Sequence, residues 1–240
     1  MKLKELTIVK SAKRITVSKN EIQKMLMYCK TSKIEINCAD NSQLTIAQVV
    51  ESNTNLTTIF NIGRNSKVKH LLIMLDSANS EANVEFNLNG EYAEVKTGGA
   101  ILCTNSGNVK LDFQVNHLAK NTTSLAGFYS ALRGDSSLKV KGNTWIGKNA
   151  SGSNAFFASH SLLLDKKSRA ESVPGLEIEA NEVKAGHSAS TSKIPGEQLF
   201  YCQARGIANK EAEKLLTLAF LQRGSIPTGI EVDELIENKW

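Results

Sequence analysis

The sequence predicts a mainly β protein, a parallel β-helix with a small C-terminal α-helical subdomain. Three observations predict it. Short runs alternate apolar and polar residues with period two through most of the chain, a small polar turn recurs ahead of them, and the periodicity turns helical near residue 194. On this reading residues 1–193 form the β-helix core and residues 194–240 the helical subdomain.

The strands come first. "KIEINCA" (33–39), "QLTIAQVVE" (43–51), "VKHLLIMLD" (68–76), "NVEFNLNG" (83–90), "NVKLDFQVN" (108–116) and "SLKVKGNTWIG" (137–147) each alternate as a half-buried strand does. "LTIV" and "RITV" near the N-terminus read the same way, while "SKNEIQKMLMYC" between Ser18 and Cys29 carries a Ser18–Glu21 capping-box spacing that suits a helix start.

A loose repeat ties the strands together. "NSQLTI", "NSKVKH", "SGNVKL" and "DSSLKV" each put a polar turn before an apolar-x-apolar run, and "ANEVKA" fits weakly. Their first apolar positions, Leu44, Val68, Val109, Leu138 and Val183, are 24, 41, 29 and 45 residues apart. Gaps of that size suit stacked rungs with an irregular insertion or two, each rung burying its apolar face against its neighbours. The Asn, Ser, Gly and Asp of the turns tolerate left-handed backbone at the corners. The three prolines, at 174, 195 and 227, fall outside the clear strands. The competing architecture, an antiparallel sandwich, needs tight hairpins, and "NG" occurs once, at 89–90.

The helical part is bracketed by its own signals. Pro195 suits a helix start and Gly206 a stop around "GEQLFYCQAR". Asn209 then caps a second helix whose apolar residues, Ala212, Leu215, Leu216, Ala219 and Phe220, keep helical spacing up to Gly224. "EVDELIENKW" adds a short amphipathic segment. Helices this short need a surface to pack on, which the β-helix or a partner supplies.

Composition narrows the function classes. The net charge of +5 comes from 29 basic and 24 acidic residues spread along the chain, with aromatics at 6%, so the dense basic stripe of a nucleic-acid binder is missing. No run approaches the ~20 apolar residues of a membrane helix, and the N-terminus has no signal-peptide pattern, so the expectation is a cytoplasmic protein. Cys29, Cys38, Cys103 and Cys202 form no C-x-x-C pair and read as small buried hydrophobes. Phosphate-loop, dinucleotide, H-E-x-x-H and G-x-S-x-G motifs are all absent. A carbohydrate-active β-helix enzyme needs clustered carboxylates on one face, and here the acids are isolated among Lys and Ser.

Four histidines, His70, His117, His160 and His187, are scattered, although stacked rungs can bring distant residues together. His187 sits in "AGHSASTS", among small residues. As a neutral imidazole it can bind a metal or relay a proton; as a strand-end residue it can simply bond to backbone.

The segment "LEIEANEVKAGHSASTSKIPGEQLFYCQARGIANKEAEKLLTLAFL" resembles the C-terminal signature of the SufB/SufD family, scaffolds of the SUF iron–sulfur cluster assembly system. "NHLAKNTTS", "GNTWIGKNASGSNAF", "SHSLLLDKKSRAESVPGLEI" and "EQLFYCQARGI" follow the family pattern in order, so the match is close from about Asn116 onward. The resemblance implies a right-handed parallel β-helix that pairs side by side, through its β-helix, with a SufB/SufD-type mate, as a homodimer or heterodimer. It implies C-terminal helices that grip the ABC-type ATPase SufC, with Leu199, Phe200, Arg205, Leu215, Leu216 and Phe220 as the docking residues. It also implies a transient iron–sulfur cluster at the subunit interface with none tightly bound, and no enzymatic role beyond scaffolding. The chain looks like a compact member of the family.

Residue by residue the carry-over is mixed. Where SufB members carry a Cys ahead of the Pro, this chain has Ser168, whose hydroxyl cannot replace a thiolate. The residues that accompany the signature His in SufB or SufD are Ala185, Gly186 and Ser188 here. His187 itself matches, as candidate cluster ligand or orienter. Cys202 matches the "FYC" of SufB-type sequences and reads as helix packing. The wording leans to SufB and the missing thiol to an accessory, SufD-like role.

Overall fold

The alternating segments close into rungs, each made of two strands joined by two corners. A computed structural model describes residues 7–9, 12–29, 33–50, 52–75, 79–225 and 228–229. The odd strands β1 (Thr7–Val9), β3 (Ile22–Cys29), β5 (Gln43–Val50), β7 (Lys67–Leu75), β9 (Glu94–Cys103), β11 (Thr123–Leu132), β13 (Asn154–Leu163) and β15 (Lys184–Ser192) pair in that order in one parallel sheet. The even strands β2 (Arg14–Val17), β4 (Lys33–Cys38), β6 (Asn55–Ile62), β8 (Asn79–Leu88), β10 (Asn108–His117), β12 (Ser137–Ile146) and β14 (Arg169–Ile178) form the second. Two helices follow, α1 (Gly196–Ala204) and α2 (Asn209–Gln222), then a 3-10 turn over Arg223–Ser225. The expected parallel β-helix with C-terminal helices is the fold.

Rungs lengthen along the chain. Ile22 pairs with Gln43, Gln43 with Lys67, Lys67 with Glu94 and Glu94 with Thr123, offsets of 21, 24, 27 and 29 residues. This corrects the expected insertions. Leu44–Val68 and Val109–Leu138 are true rung neighbours, but in different sheets. Val68 continues to Val95, and Val109 opens the next strand of the opposite sheet, so the 41-residue gap is one rung plus half of the next. Two kinds of corner with similar sequences had merged into one series.

The corner from the even to the odd sheet holds a left-handed residue at every turn: Asn20, Asn41, Asn65, Tyr92, Asn121, Gly152 and Glu182. Asn pays least for that conformation among residues with a side chain, which is why it dominates the column. Each except Glu182, on the last rung, donates its backbone N–H to the corner of the following rung, as Asn41 does to Arg64 (2.8 Å) and Asn65 to Glu91 (2.8 Å). On the outer face of the even sheet, side-chain amides of Asn37, Asn61, Asn87 and Asn116 bond in a row at 2.9, 3.3 and 2.8 Å.

The lumen is the core. Phe60 and Phe86 stack at 4.4 Å, and Phe113 touches Phe86, Phe128 and Phe157 at 5.9, 5.0 and 5.7 Å between ring centroids. Aliphatic side chains fill the rest, as the sparse aromatics imply. Two buried histidines sit among them with every ring nitrogen satisfied. His70 bonds Thr97 (2.8 Å) and Gln48 (3.0 Å); His117 bonds Thr122 (2.8 Å) and Ser124 (2.9 Å).

Three local readings are corrected. Ser18 and Glu21 make one half of a capping box, the Ser18 N–H donating to the Glu21 carboxylate at 2.7 Å while the Glu21 N–H donates to the Ser18 carbonyl at 3.1 Å, but they close the β2–β3 corner and the segment beyond is strand. Its inward Met25, Met27 and Cys29 serve the lumen, and that tertiary demand outweighs a local cap. Pro174 lies inside β14, which is tolerated because β14 is an edge strand of its sheet. Strands β9, β11, β13 and β15 escape the alternation pattern because their outward rows are not consistently polar, mixing small residues such as Gly98, Ala100, Gly127 and Ala158 with apolar ones such as Leu102, Leu125, Phe156 and Leu162. At Gly98 an added Cβ would lie 1.8 Å from the Gly224 carbonyl oxygen, so the sheet is hollowed to seat the end of α2.

The helices sit on the outer face of the odd sheet. The α1 stop is a complete Schellman motif: Gly206 (φ +85°) and Ile207 donate to Gln203 and Cys202 at 2.9 and 3.1 Å. Pro195 is the residue before the first turn, and α2 begins without a side-chain cap. Asn209 instead accepts a bond from Gln203 at 2.8 Å, tying α2 to α1. The buried stripe of α2 also differs from expectation. Ala212, Thr217 and Leu221 are buried, whereas Leu215 and Ala219 face solvent. The segment "EVDELIENKW" lies outside the described residues.

Candidate functional site

Among the described residues nothing stacks on the last rung. Strands β14 and β15 are both edges, and most of their residues are exposed. Paired residues of a parallel ladder face the same way. His187 pairs with Phe157, a lumen residue, so His187 belongs to the inward row at the open mouth of the solenoid. The Phe157 ring lies over Gly142, where a Cβ would come within 2.1 Å of it, and fills the lumen one rung below His187.

Opposite His187, the inward row of β14 follows from its register on β12. Ser172, Pro174, Leu176 and Ile178 pair with the buried Val140, Gly142, Thr144 and Ile146. Leu176 and Ile178, at 37% and 44%, are exposed only because the solenoid stops there. The Ser172 hydroxyl oxygen is shielded from solvent and has no hydrogen-bond partner among the described residues. The mouth therefore brings together the apolar Leu176 and Ile178, the His187 imidazole and the shielded, uncommitted Ser172 hydroxyl.

The thiols lie elsewhere. Burial pushes the Cys38 and Cys103 thiols up to about 12, for Cys38 against the downward pull of its Ser42 hydrogen bond, so both stay protonated at neutral pH. Cys202 is the buried residue of α1. Ser168 is buried at the β13–β14 corner and donates to the Asp165 carbonyl at 2.7 Å, a local turn bond. Among the described residues no three His, Cys, Asp or Glu side chains gather as a metal site. Among the described residues His187 is the one imidazole on the inward row at the mouth.

The six helix residues named from the sequence separate into two groups. Phe220 packs on Tyr129 of β11 at 5.3 Å between ring centroids, and Leu216 and Leu199 are half-buried. Phe200 (71% exposed) and Leu215 (51%) project outward. Arg205 lies 5.4 Å over the Tyr201 ring, and Tyr201, 62% exposed, is a surface residue that the sequence reading passed over. Its signal was two adjacent aromatics in a nine-residue helix, of which one helix face can bury only one side.

A second cluster was also missed. His160, outward on β13, bonds Ser190 of β15 at 2.7 Å and rests 5.0 Å from the Tyr129 ring, which Arg223 covers from 5.0 Å. Burial, with the nearby Arg223 charge, holds His160 below the ordinary imidazole range. Four elements distant in sequence build this cluster, so no linear motif announces it.

Comparison with known proteins extends the sequence match. The family described as "SUF system FeS cluster assembly, SufBD core domain" matches residues 5–220, well ahead of Asn116. An iron-sulfur cluster assembly SufBD family protein of Mycobacterium tuberculosis (strain ATCC 25618 / H37Rv) is 33% identical over 186 residues, covering 73% of this chain and 46% of the relative. A SufBD family protein of Mycobacterium leprae is 32% identical over the same span. The iron-sulfur cluster assembly protein SufD of Bacillus subtilis is 28% identical over 194 residues, covering 78% of this chain and 44% of the relative. The chain spans less than half the length of these curated relatives. With the family match running through nearly the whole solenoid and both helices, the chain belongs to the SufB/SufD family of the SUF iron–sulfur cluster assembly system.

Proposed function

We propose that this chain is a non-enzymatic, cytoplasmic scaffold subunit of iron–sulfur cluster assembly that pairs through the open end of its solenoid with a SufB/SufD-type mate. The observation that carries the reading is the unstacked last rung. An edge strand in each sheet, exposed Leu176 and Ile178, and an inward His187 form a surface that a second solenoid end can cover. The mate then supplies the remaining ligands of a transient cluster around His187, since this chain brings one imidazole and no thiol to the mouth. The outward face of α1 and α2, with Phe200, Tyr201 and Leu215, docks a SufC-type ATPase. The Gly98–Gly224 contact and the Arg133–Glu213 pair join α2 and its end to the solenoid, giving motion of the docked ATPase a rigid route to the paired ends.

A second reading rests on Ser168, whose hydroxyl is spent on a backbone carbonyl where a thiol would serve cluster chemistry. Here the chain is an adaptor of the same complex that holds no cluster. Anaerobic reconstitution of the chain with its mate, iron and sulfide, read by visible absorption, separates the two. Absorption that His187→Ala removes supports the scaffold reading. Failure of the complex to take up iron and sulfide leaves the adaptor. Loss of pairing in Ile178→Lys, measured by light scattering, tests the shared claim about the open end, and a monomer in every condition sinks it.

A further inference from the structure

A groove of about 450 Å³ runs between the ends of β13 and β15 and the two helices. Buried Leu162 and half-buried Leu216 and Phe220 make its floor, while Ser192, Gln198 and Arg223 are exposed at its edge. No carboxylate is among its described lining residues. Arg223 has no acidic partner among the described residues, in contrast to Arg133, which Glu213 neutralises. The face of the Tyr129 ring holds the guanidinium in place instead, with the ring itself fixed by Phe220 and His160. The side chains of Ser192 and Gln198 likewise have no hydrogen-bond partner among the described residues. An apolar trough therefore carries one pre-positioned cation and two uncommitted hydrogen-bonding side chains at its edge. A bound peptide uses all three features: apolar side chains on the floor, backbone amides against Ser192 and Gln198, and a carboxylate on Arg223.

We propose that this groove docks a short peptide segment of a partner protein in which apolar residues flank an acidic one, the carboxylate pairing with Arg223. The surface lies apart from the solenoid mouth and from the outward Phe200, Tyr201 and Leu215 that carry the proposed ATPase contact, although its floor uses Leu216 and Phe220 of the six residues named from the sequence. Its test is fluorescence anisotropy on the full chain, with a labelled peptide of alternating leucine and aspartate, its leucine–asparagine counterpart, and decanoate as competitor. The acidic peptide binds saturably and about tenfold tighter than the neutral one, the value of one charge-assisted contact. Arg223→Gln brings the two peptides to equal affinity, and Ala219→Trp, which fills the groove from an exposed helix position, abolishes binding. Circular dichroism melts matching the parent show that both variants fold. Absence of saturable peptide binding overturns the proposal, as does a charge preference that survives Arg223→Gln. Decanoate binding without peptide binding overturns it too, and assigns the groove to small amphipathic acids.

Discussion

Mild acid should loosen this solenoid through two histidines in its lumen. Burial pushes the His70 imidazole down to about 3 and the His117 imidazole down to about 4. Both nitrogens of each ring are bonded to neutral side chains, so the folded protein has no anion to receive a proton there. In the unfolded chain each ring titrates near its ordinary value of about 6.5. Between those values the unfolded state binds more protons, so the stability from each histidine is complete above about pH 6.5 and is lost as the pH falls towards 4 and 3. At pH 5.5 the linkage amounts to about 1.4 kcal/mol per histidine, about 3 kcal/mol for the pair relative to pH 7.5. That is a large share of the 5–15 kcal/mol typical of a folded protein. The window stays above the range in which carboxylates begin to protonate. The assay is urea unfolding at pH 7.5 and 5.5 for the parent and for the His70→Gln, His117→Gln double variant. The variant starts less stable, and its loss between the two pH values shrinks by about 3 kcal/mol. Equal pH losses in parent and variant would refute the assignment of acid sensitivity to these rings.

Three further outcomes follow from the packing. Phe113→Ala, which removes the ring touching Phe86, Phe128 and Phe157, lowers unfolding free energy by about 3–5 kcal/mol in urea titration. Gly98→Ala drives a methyl into the Gly224 carbonyl, so the end of α2 leaves the sheet; hydrogen exchange in 209–225 rises while the lumen strands stay protected. Gly206→Ala forces a side chain into left-handed backbone at the Schellman stop and costs about 1–2 kcal/mol, seen as a lower thermal midpoint.

Some elements were legible from local pattern and others were not, for a reason that particular residues show. Strands such as β4, β8 and β10 have one polar and one apolar face, and alternation finds them. In β9 and β11 the outward face carries Gly98, Ala100, Gly127 and Ala131 because helices cover it, and the alternation disappears. The Schellman stop at Gly206 was readable because its bonds close within six residues. The α2 stripe was not. Its helix has more apolar residues than one face can bury, and the docking angle on the odd sheet selected Thr217 over Leu215.

The candidate site divides the same way. His187 could be singled out from its sequence signature, and so could Ser168 as the place of a missing thiol. That His187 lies on the inward row, above Phe157 and at an end without a further rung, follows only from the register of β15 on β13. The His160–Ser190 and Tyr129–Arg223 contacts join residues 30 and 94 positions apart, distances that a rung length and a returning helix bridge. Short-range chemistry, the side-chain alternation and the left-handed preference of Asn, specifies strands, corners and hence a solenoid. Which faces end up covered depends on long-range packing, where burying one apolar surface against another decides the outcome and no local pattern encodes the partner.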